Sequence, residues 1–391
     1  MEPVATAPVS SPAAAASKTP AESGRLVSLD ALRGFDMFWI VGGERIFHAL
    51  ATWTGAAWLV WLSGELHHPE WNGFKFYDLI FPLFLFISGV TMPFSLTRRM
   101  ERGESKRALY LRVIRRGLIL VVLGFLYGGM LKFEWETMRW PSVLGRIGLA
   151  YLFAGLIVLR CGLRGQILWM LSLVLAYWAA MTLIPVPVYA ADALEKDEHL
   201  ATYVSLAGYI DWTLLPGRLY KVVHDPEGLL STVPAISTAL LGAMTGAWLR
   251  RPSPRPILKA VGLAIAGAAC LGIGKLWDPW FPINKNLWSS SFVFYAGGWS
   301  LLFLSVFYFI IDVCRLRRWA FFFVVIGVNP ITIYFVANRL VDFKYTATFL
   351  FDGALRHVDE PLRAVLWASG VILLEWLFLL FLYRKRVFLR V

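Results

Sequence analysis

The sequence predicts an all-α protein, a polytopic integral membrane bundle of about ten transmembrane helices. Hydrophobic residues make up 58% of the chain and charged residues only 16%. The mean hydropathy of +0.60 lies far outside the range of soluble globular domains. The apolar residues also recur in runs of roughly 20, which is the length needed to cross a hydrocarbon core. One helical bundle therefore suits the 391 residues better than two or three soluble domains.

The chain divides into a short tail and one membrane domain. Residues 1–25 are rich in Ala, Pro and Ser and lack the apolar core of a signal peptide, so we expect a disordered cytoplasmic N-terminal tail. Residues 26–391 contain all of the long apolar runs and form the transmembrane domain. The predicted spans are 31–50, 76–96, 109–130, 142–159, 166–184, 229–249, 257–276, 291–311, 319–337 and 364–383.

Interruptions and connections add detail to these spans. The first span is broken by the run Gly42-Gly43-Glu44-Arg45, and the stretch 53–62 that follows is too short to cross, so we expect it to lie in the interface or to re-enter. The ninth span contains Asn329-Pro330, and proline there frees a backbone carbonyl. The polar segment 185–228 is long for a loop in a compact membrane protein, and such loops are usually functional or disordered.

The distribution of charge predicts an orientation. Most Lys and Arg residues fall on alternate connections that share one side, and that side is expected to face the cytoplasm. Both termini are then cytoplasmic, whereas the segments around residues 67–75, 185–228 and 277–286 share the opposite face. The net charge of +12 does not predict nucleic-acid binding, because no basic surface is interleaved with aromatic residues. The three cysteines lack metal-ligand spacing, so no metal site is predicted.

A polar, turn-rich segment enters the second span and is the first candidate for chemistry. It contains His67, His68, Asn72 and Asp78. Ionisable groups beside hydrocarbon need a partner or a function to offset their desolvation. An ordinary interfacial belt of aromatic and snorkelling side chains explains the same composition equally well. The pattern alone does not choose between the two histidines.

Charged residues in the first and fourth spans are further candidates. Asp30 and Arg33 lie three residues apart on one helical face, so they can form an ion pair or hold an anionic ligand near the cytoplasmic surface. Glu44 lies beside two glycines near the far end of the first span, where a purely structural role is harder to find. Arg146 lies one turn inside the fourth span and requires an acid or a phosphate as partner.

Two loops predicted on the outer face have the composition of a sugar site. One contains Asp225 and Glu227, and the other contains Asn284, Lys285 and Asn286. Asp-Pro and Asn side chains also favour turns and helix caps, so each loop alone has a structural explanation. Together they place carboxylates, amides and an amine beside tryptophan, a combination that binds sugar hydroxyls and stacks on a sugar ring.

Five motifs, in order along the chain, resemble those of the heparan-alpha-glucosaminide N-acetyltransferase family and its bacterial relatives. The matches extend from about residue 25 to residue 340. They are Leu29-Asp30 with Arg33-Gly34, His68-x-x-Trp71-Asn72-Gly73, Asp78-Leu79 with Phe81-Pro82, Asp225-Pro-Glu-Gly-Leu-Leu230, and Asn284-Lys-Asn-Leu-Trp288.

This resemblance implies a transmembrane acetyltransferase domain over residues 26–391. Such an enzyme takes acetyl from cytoplasmic acetyl-CoA and transfers it to the amine of a glucosamine-type sugar on the other side, which for a bacterial protein is the periplasmic side of the inner membrane. The family's active-site histidine stands three residues before Trp-Asn-Gly, which here is His68. Where this chain has Glu44, the animal enzymes have an asparagine, so heparan itself is not the expected acceptor.

The expected roles follow from this chemistry. His68 accepts the amine proton near neutral pH, and Glu44 orients or stabilises the imidazole as the third group of a triad does. Arg33, Arg146 and Asp30 are assigned to the acetyl-CoA side. The acceptor side is assigned to the remaining candidates, which are Asn72, Asp78, Asp225, Glu227, Asn284, Lys285 and Asn286.

Two other functions share much of this pattern. An inner-membrane sugar transporter also has midplane charges and broken helices, although this chain lacks paired broken segments in two matching halves. An O-acyltransferase for an envelope glycan has the same physical requirements. In each case membrane lipids are expected partners, nucleic acid is not, and a homodimer remains open.

Overall fold

The computed structural model describes residues 26–389, so the predicted N-terminal tail lies outside the described residues. Within that range the fold is all α-helical, as the sequence predicts, and no β-strand forms. The helices are α1 Val27–Phe38, α2 Glu44–Thr54, α3 Ala57–Glu65, α4 Ile80–Glu101, α5 Lys106–Gly128, α6 Val143–Arg160, α7 Leu163–Leu183, α8 Ala191–Lys196, α9 Leu206–Leu214, α10 Leu229–Arg250, α11 Pro256–Trp277, α12 Ser290–Tyr308, α13 Phe321–Gly327, α14 Pro330–Phe335, α15 Phe343–Leu355 and α16 Leu362–Arg384.

Each of the ten predicted spans corresponds to a helical segment in the same order. Among the described residues, seven helices are long and apolar enough to cross a membrane, and an eighth is counted if the bent pair α13 and α14 forms one span. The two remaining predicted spans are helical, but neither forms a helix that is both long and apolar enough to be counted. One is divided into α1 and α2, and the other, α5, carries several basic residues in its first half.

The break between α1 and α2 is located at Gly42. This glycine has φ of +117° inside a π-helical stretch, Trp39–Gly43, and such a backbone conformation is open to glycine at little steric cost. Helix α3 follows as the short stretch expected near the interface, and its Trp58 and Trp61 side chains are exposed. The first predicted span therefore corresponds to two helices, α1 and α2, with a bend at Gly42 between them.

Helices α4 and α10 form the centre of the bundle through glycine contacts. A Cβ atom added at Gly89 would lie 2.1 Å from the backbone oxygen of Ala239, and one added at Gly242 would lie 2.1 Å from that of Phe86. Small residues of this kind allow the backbones of membrane helices to approach closely. This contact positions α4, which begins two residues after Asp78.

The bundle has two polar ends, which we name by their residues. The histidine end contains the loop 66–75, the loop 278–289 and the segment 215–228, which contact one another. The arginine end contains Arg33, the segment 98–116 and Arg250. Helix α4 connects the two ends over about 33 Å at 1.5 Å per residue, and Glu101 at its last turn pairs with Arg250 at 2.9 Å.

Candidate active site

His68 and Asp78 form a hydrogen-bonded pair at the histidine end. The Nδ1 atom of His68 lies 2.6 Å from Oδ1 of Asp78, and the aspartate side chain is 1% exposed. The other oxygen, Oδ2, accepts a hydrogen bond from the backbone N–H of Lys75 at 3.1 Å, which fixes the carboxylate at the start of a short 3₁₀ turn. A neutral imidazole that donates its Nδ1 proton to this carboxylate has a free lone pair on Nε2. The pair is thus arranged to accept a proton at Nε2.

Lys285 completes a three-residue cluster with this pair. Its Nζ atom lies 3.1 Å from Nε2 and 3.3 Å from Nδ1 of His68, and 3.6 Å from Oδ1 of Asp78. Burial lowers the pKa of the Lys285 amine, while the charges of Asp78 and Glu227 partly oppose this shift. Lys285 was expected on the acceptor side; the structure places it in direct contact with the predicted base.

Asn72 and Asn284 join the loops that carry His68 and Lys285. The Nδ2 atom of Asn284 donates to Oδ1 of Asn72 at 3.0 Å, and the backbone N–H of Gly73 donates to the oxygen of Ile283 at 2.8 Å. Asn284 is fully buried, and its own Oδ1 caps the backbone N–H of Leu287. Both amides therefore hold the cluster in place through bonds within the protein.

Asp225 and Glu227 share one cation, Arg139. The Nε and Nη2 atoms of Arg139 donate to the two oxygens of Asp225 at 2.7 and 2.6 Å, and Nη2 also contacts Glu227. Asp225 is fully buried and accepts the backbone N–H groups of Tyr220 and Glu227. Arg139 was not among the sequence candidates, because its partners lie far away along the chain. Its position just before the fourth span was the one available signal.

Arg146 lies at the histidine end and does not line the cavity that contains Arg33. Its side chain is 2% exposed, contacts the hydroxyl of Ser231, and stacks on the ring of Trp288 at 5.0 Å. The expected placement of Arg146 beside Arg33 therefore differs from the structure. The physical reason is the direction of α6, which begins at the histidine end.

Glu44 is also placed differently from the expectation. Its Oε1 atom lies 3.7 Å from Nε of Arg45, and its Oε2 atom is buried without a hydrogen-bond partner. No hydrogen bond or ion pair joins Glu44 to His68 within residues 26–389. Asp78, which the sequence assigned to substrate binding, occupies the orienting position instead. Asn286 contributes its backbone oxygen to His224 at 3.3 Å, and its side chain makes no hydrogen bond to another described residue.

The arginine end contains a large cavity, which we name the arginine vestibule. It has a volume of about 1450 Å³ and includes both Asp30 and Arg33 in its lining, where they form an ion pair at 3.3 Å. Basic side chains in the lining outnumber the acids Asp30 and Glu101, so the vestibule suits an anion. Its arginines are Arg33, Arg98, Arg99, Arg112, Arg115, Arg116 and Arg250.

A smaller inner cavity of about 170 Å³ contains His68 and Lys285. Apart from these two residues and the rings of Tyr77 and Tyr334, its lining is apolar. Four residues line both cavities, so the inner cavity is adjacent to the arginine vestibule. We name these four residues the neck; they are Phe84, Leu144, Ile147 and Ile331.

Comparisons with known proteins match most of the chain. The family described as a domain of unknown function (DUF5009) matches residues 25–144, which include α1, the His68–Asp78 pair and the beginning of α6. The heparan-alpha-glucosaminide N-acetyltransferase of Homo sapiens is 28% identical over an alignment that covers 83% of this chain and 55% of the human protein. The Mus musculus protein of the same name is 26% identical over 83% of this chain and 56% of its own length.

These matches confirm the resemblance that the five motifs indicate. The chain spans about half the length of the two curated proteins. The matched share of this chain is large enough to include both polar ends of the bundle. The chain is therefore similar, over most of its length, to the heparan-alpha-glucosaminide N-acetyltransferases of human and mouse.

Proposed function

We propose that this chain is a transmembrane acetyltransferase that moves acetyl from acetyl-CoA at the arginine end to the amine of a glucosamine-type sugar at the histidine end. The observation that carries this proposal is the pair of adjacent cavities, one lined by seven arginines and the other by His68, which share the apolar residues of the neck. The names of the two relatives indicate N-acetyl transfer to a glucosaminide, which agrees with this proposal.

On the donor side, the positive charge of the arginine vestibule complements the negative charge of coenzyme A. Coenzyme A is a polyanion, and guanidinium groups bind phosphates through planar, charge-assisted hydrogen bonds. The vestibule exceeds the roughly 300–1,000 Å³ of common small-molecule sites, as an extended ligand requires. The neck is apolar, so it suits the uncharged arm and the thioester better than the phosphates. The arginine end would then be cytoplasmic, with both termini on that side, by the positive-inside rule.

The chemical step is assigned to His68. The sugar amine attacks the thioester carbonyl carbon, the new C–N bond forms, and the C–S bond breaks. Nε2 of His68 accepts the proton that the amine loses, and Asp78 holds the imidazole in the required orientation and stabilises its charged form. We favour direct transfer over an acetyl-histidine intermediate, because adjacent cavities allow donor and acceptor to occupy the site together.

The acceptor side is assigned to the polar surface beside this cluster. Asp225 and Glu227 are held by Arg139, and the Asn286 side chain is available to a sugar hydroxyl. Trp71 packs edge-on against Tyr203 and His224, with ring centroids 5.0 and 5.5 Å apart, which holds an aromatic ring near the site. Asn72 and Asn284 contribute by holding the two loops together.

The test of this proposal is acetyl transfer by the purified protein to a panel of amino sugars and their hydroxyl analogues, with products identified by mass spectrometry. We expect N-acetylated amino sugars. His68→Ala should lower turnover at least 10²-fold, since a positioned base contributes about 10²–10⁴-fold. Asp78→Asn should cause a loss on the order of 10²-fold through misplacement of the imidazole. Glu70→Gln, which changes an exposed acid of the same loop, is the matched control.

Other outcomes would favour the alternatives. O-acetylated products would replace the proposed acceptor with a hydroxyl. Sugar uptake by vesicles without acetyl-CoA-dependent protection against thermal unfolding would favour a transporter. His68-dependent exchange of label between acetyl-CoA and free CoA, measured without acceptor, would favour an acetyl-histidine intermediate over direct transfer.

A further inference from the structure

Lys285 is the cation closest to the predicted base, and its position is not explained by loop structure. The loop 278–289 is held by other groups: Asp278 accepts the backbone N–H of Ile283 at 2.8 Å, and Ser289 accepts that of Asn284 at 3.1 Å. The Lys285 amine instead points to the His68 ring and lines the inner cavity. That cavity adjoins the neck through which a thioester would arrive.

The contacts of Lys285 define a resting arrangement of the cluster. Nδ1 of His68 is occupied by Asp78. Nζ of Lys285 lies almost equally far from the two ring nitrogens, 3.1 Å from Nε2 and 3.3 Å from Nδ1, so it lies over the face of the ring and leaves the in-plane lone pair of Nε2 accessible. The cluster then contains one negative carboxylate, one positive ammonium and one neutral ring. Burial lowers the pKa of Lys285, which makes its ammonium a better proton donor near neutral pH than an exposed lysine.

We propose that Lys285 is the general acid of the reaction and delivers a proton to the sulfur of the departing thiolate. This inference rests on the proposed acetyl transfer and concerns the leaving group. It assigns Lys285 to the donor half of the chemistry, whereas the sequence pattern had suggested the acceptor side.

The step balances within the cluster. The amine nitrogen bonds to the carbonyl carbon, and its proton passes to Nε2 of His68. The C–S bond breaks with its electron pair on sulfur, and Nζ of Lys285 transfers a proton to that sulfur, so the thiol leaves neutral. His68 is now an imidazolium and Lys285 a neutral amine, 3.1 Å apart in the resting structure. Transfer of the proton from Nε2 to Nζ restores both groups.

This cycle keeps the charge of the cluster constant. One positive charge faces the Asp78 carboxylate before the reaction, on Lys285, and after it, on His68. In a partly buried site this avoids an uncompensated charge, which is costly in a low dielectric. The proton of the amine reaches the thiol without passage through bulk solvent.

The test compares two acetyl donors with leaving groups of different basicity. Acetyl-CoA releases an alkyl thiolate, which benefits from protonation. S-(4-nitrophenyl) thioacetate releases an aryl thiolate, which is a weak base and departs unprotonated. With glucosamine as acceptor, and after subtraction of the uncatalysed reaction, we expect Lys285→Gln to lower turnover of acetyl-CoA by about 10²–10⁴-fold. Turnover of the aryl thioester should fall less than tenfold.

Controls separate this role from a structural one. Lys285→Arg keeps the positive charge but is a poor acid, so it should show the same dependence on the donor even if the glutamine variant is unstable. Lys196→Gln removes an exposed lysine of α8 and should leave both rates unchanged. His68→Ala should lower both rates. Equal losses on the two donors in both Lys285 variants, with wild-type turnover intact, would overturn the role of Lys285 alone. Absence of wild-type turnover with either donor would overturn the proposed function and this role together.

Discussion

At the scale of single residues, burial shifts the pKa values of two titratable groups at the histidine end in opposite directions. Burial raises the pKa of Asp211 to about 7, against the effect of a hydrogen bond from the Leu229 backbone N–H. Burial lowers the pKa of His224 to about 4. Stability rises with pH wherever the unfolded chain binds more protons than the folded chain. Asp211 therefore lowers stability as pH rises from about 4 to about 7, and His224 raises it between about 4 and about 6.5.

This difference in sign is a prediction for two variants. Asp211→Asn should gain thermal stability relative to wild type as pH rises from 4 to 8, because the buried carboxylate no longer has to ionise. His224→Gln should gain relative stability as pH falls, because no buried imidazole has to become charged. The measurement is the unfolding temperature in detergent across this pH range, with the exposed Asp192→Asn as control. Parallel pH profiles for all variants would contradict the prediction.

At the scale of elements, close helix contacts hold the loops that form the site. Helix α4 follows Asp78, and its partner α10 follows Glu227, so their packing sets the distance between the two polar segments. Gly242 of α10 lies against the backbone of α4, where an added Cβ would be 2.1 Å from the Phe86 oxygen. At Gly272 of α11, by contrast, an added Cβ would have no atom within 4 Å beyond the adjacent backbone of its own helix.

These two glycines predict opposite effects of the same substitution. Gly242→Ala should destabilise the protein by about 1–3 kcal/mol, as overpacking does. Gly272→Ala should be neutral or should stabilise by up to about 1 kcal/mol, since alanine is the better helix former. Unfolding temperatures of the two variants and wild type provide the measurement. A Gly242→Ala variant as stable as wild type would show that α4 and α10 separate easily.

At the scale of the whole molecule, charge is segregated between the two ends. The arginine vestibule has seven arginines and two acids in its lining, whereas at the histidine end Asp225, Glu227 and Asp78 face nearby cations. A cavity lined mainly by one sign of charge attracts ligands of the opposite sign. Under the proposed function, this asymmetry would give the reaction a direction, with the anionic donor at one end and the amine acceptor at the other.

The vestibule therefore predicts a position-specific effect on donor binding. Arg115→Glu should weaken acetyl-CoA binding by about tenfold or more, which corresponds to about 1.4 kcal/mol. Arg318→Glu makes the same charge change at an exposed residue outside the vestibule and should have little effect. The readout is acetyl-CoA-dependent protection against thermal unfolding. Equal weakening in both variants would mean that overall charge, and not the vestibule, attracts the donor.

Much of this architecture was predictable because its determinants are local. The hydrophobic runs, their lengths and the breaks at Gly42 and Pro330 depend on the nearby sequence, and every predicted span corresponds to a helical segment. The choice of His68 over His67 came from the resemblance of its motif to the family's, and its catalytic role stays a prediction. The same local information assigned Asn284 and Asp225 to one face of the bundle, and the loops that carry them contact each other through His224 and the Asn286 backbone oxygen.

Which charged side chains pair with each other was decided only by the tertiary structure. From the sequence alone, Glu44 was expected to orient His68 and Asp78 to bind substrate, because helix spacing cannot say which carboxylate reaches a ring in a neighbouring loop. Tertiary packing brings Asp78 to 2.6 Å from the ring and leaves Glu44 beside Arg45. Arg139 and Lys285 likewise acquired their partners from segments 86 and 217 residues away.

The sequence by itself determined the membrane bundle and the order of its helices, since hydropathy and turn residues act over a few residues. Only the tertiary structure decided which charges meet, because a side chain's partners depend on how helices pack across the bundle. Close contacts such as that of Gly242 with α4 set those distances. The two adjacent cavities, one lined by the arginines and one by His68, exist for the same reason, as spaces between helices that are far apart in the chain.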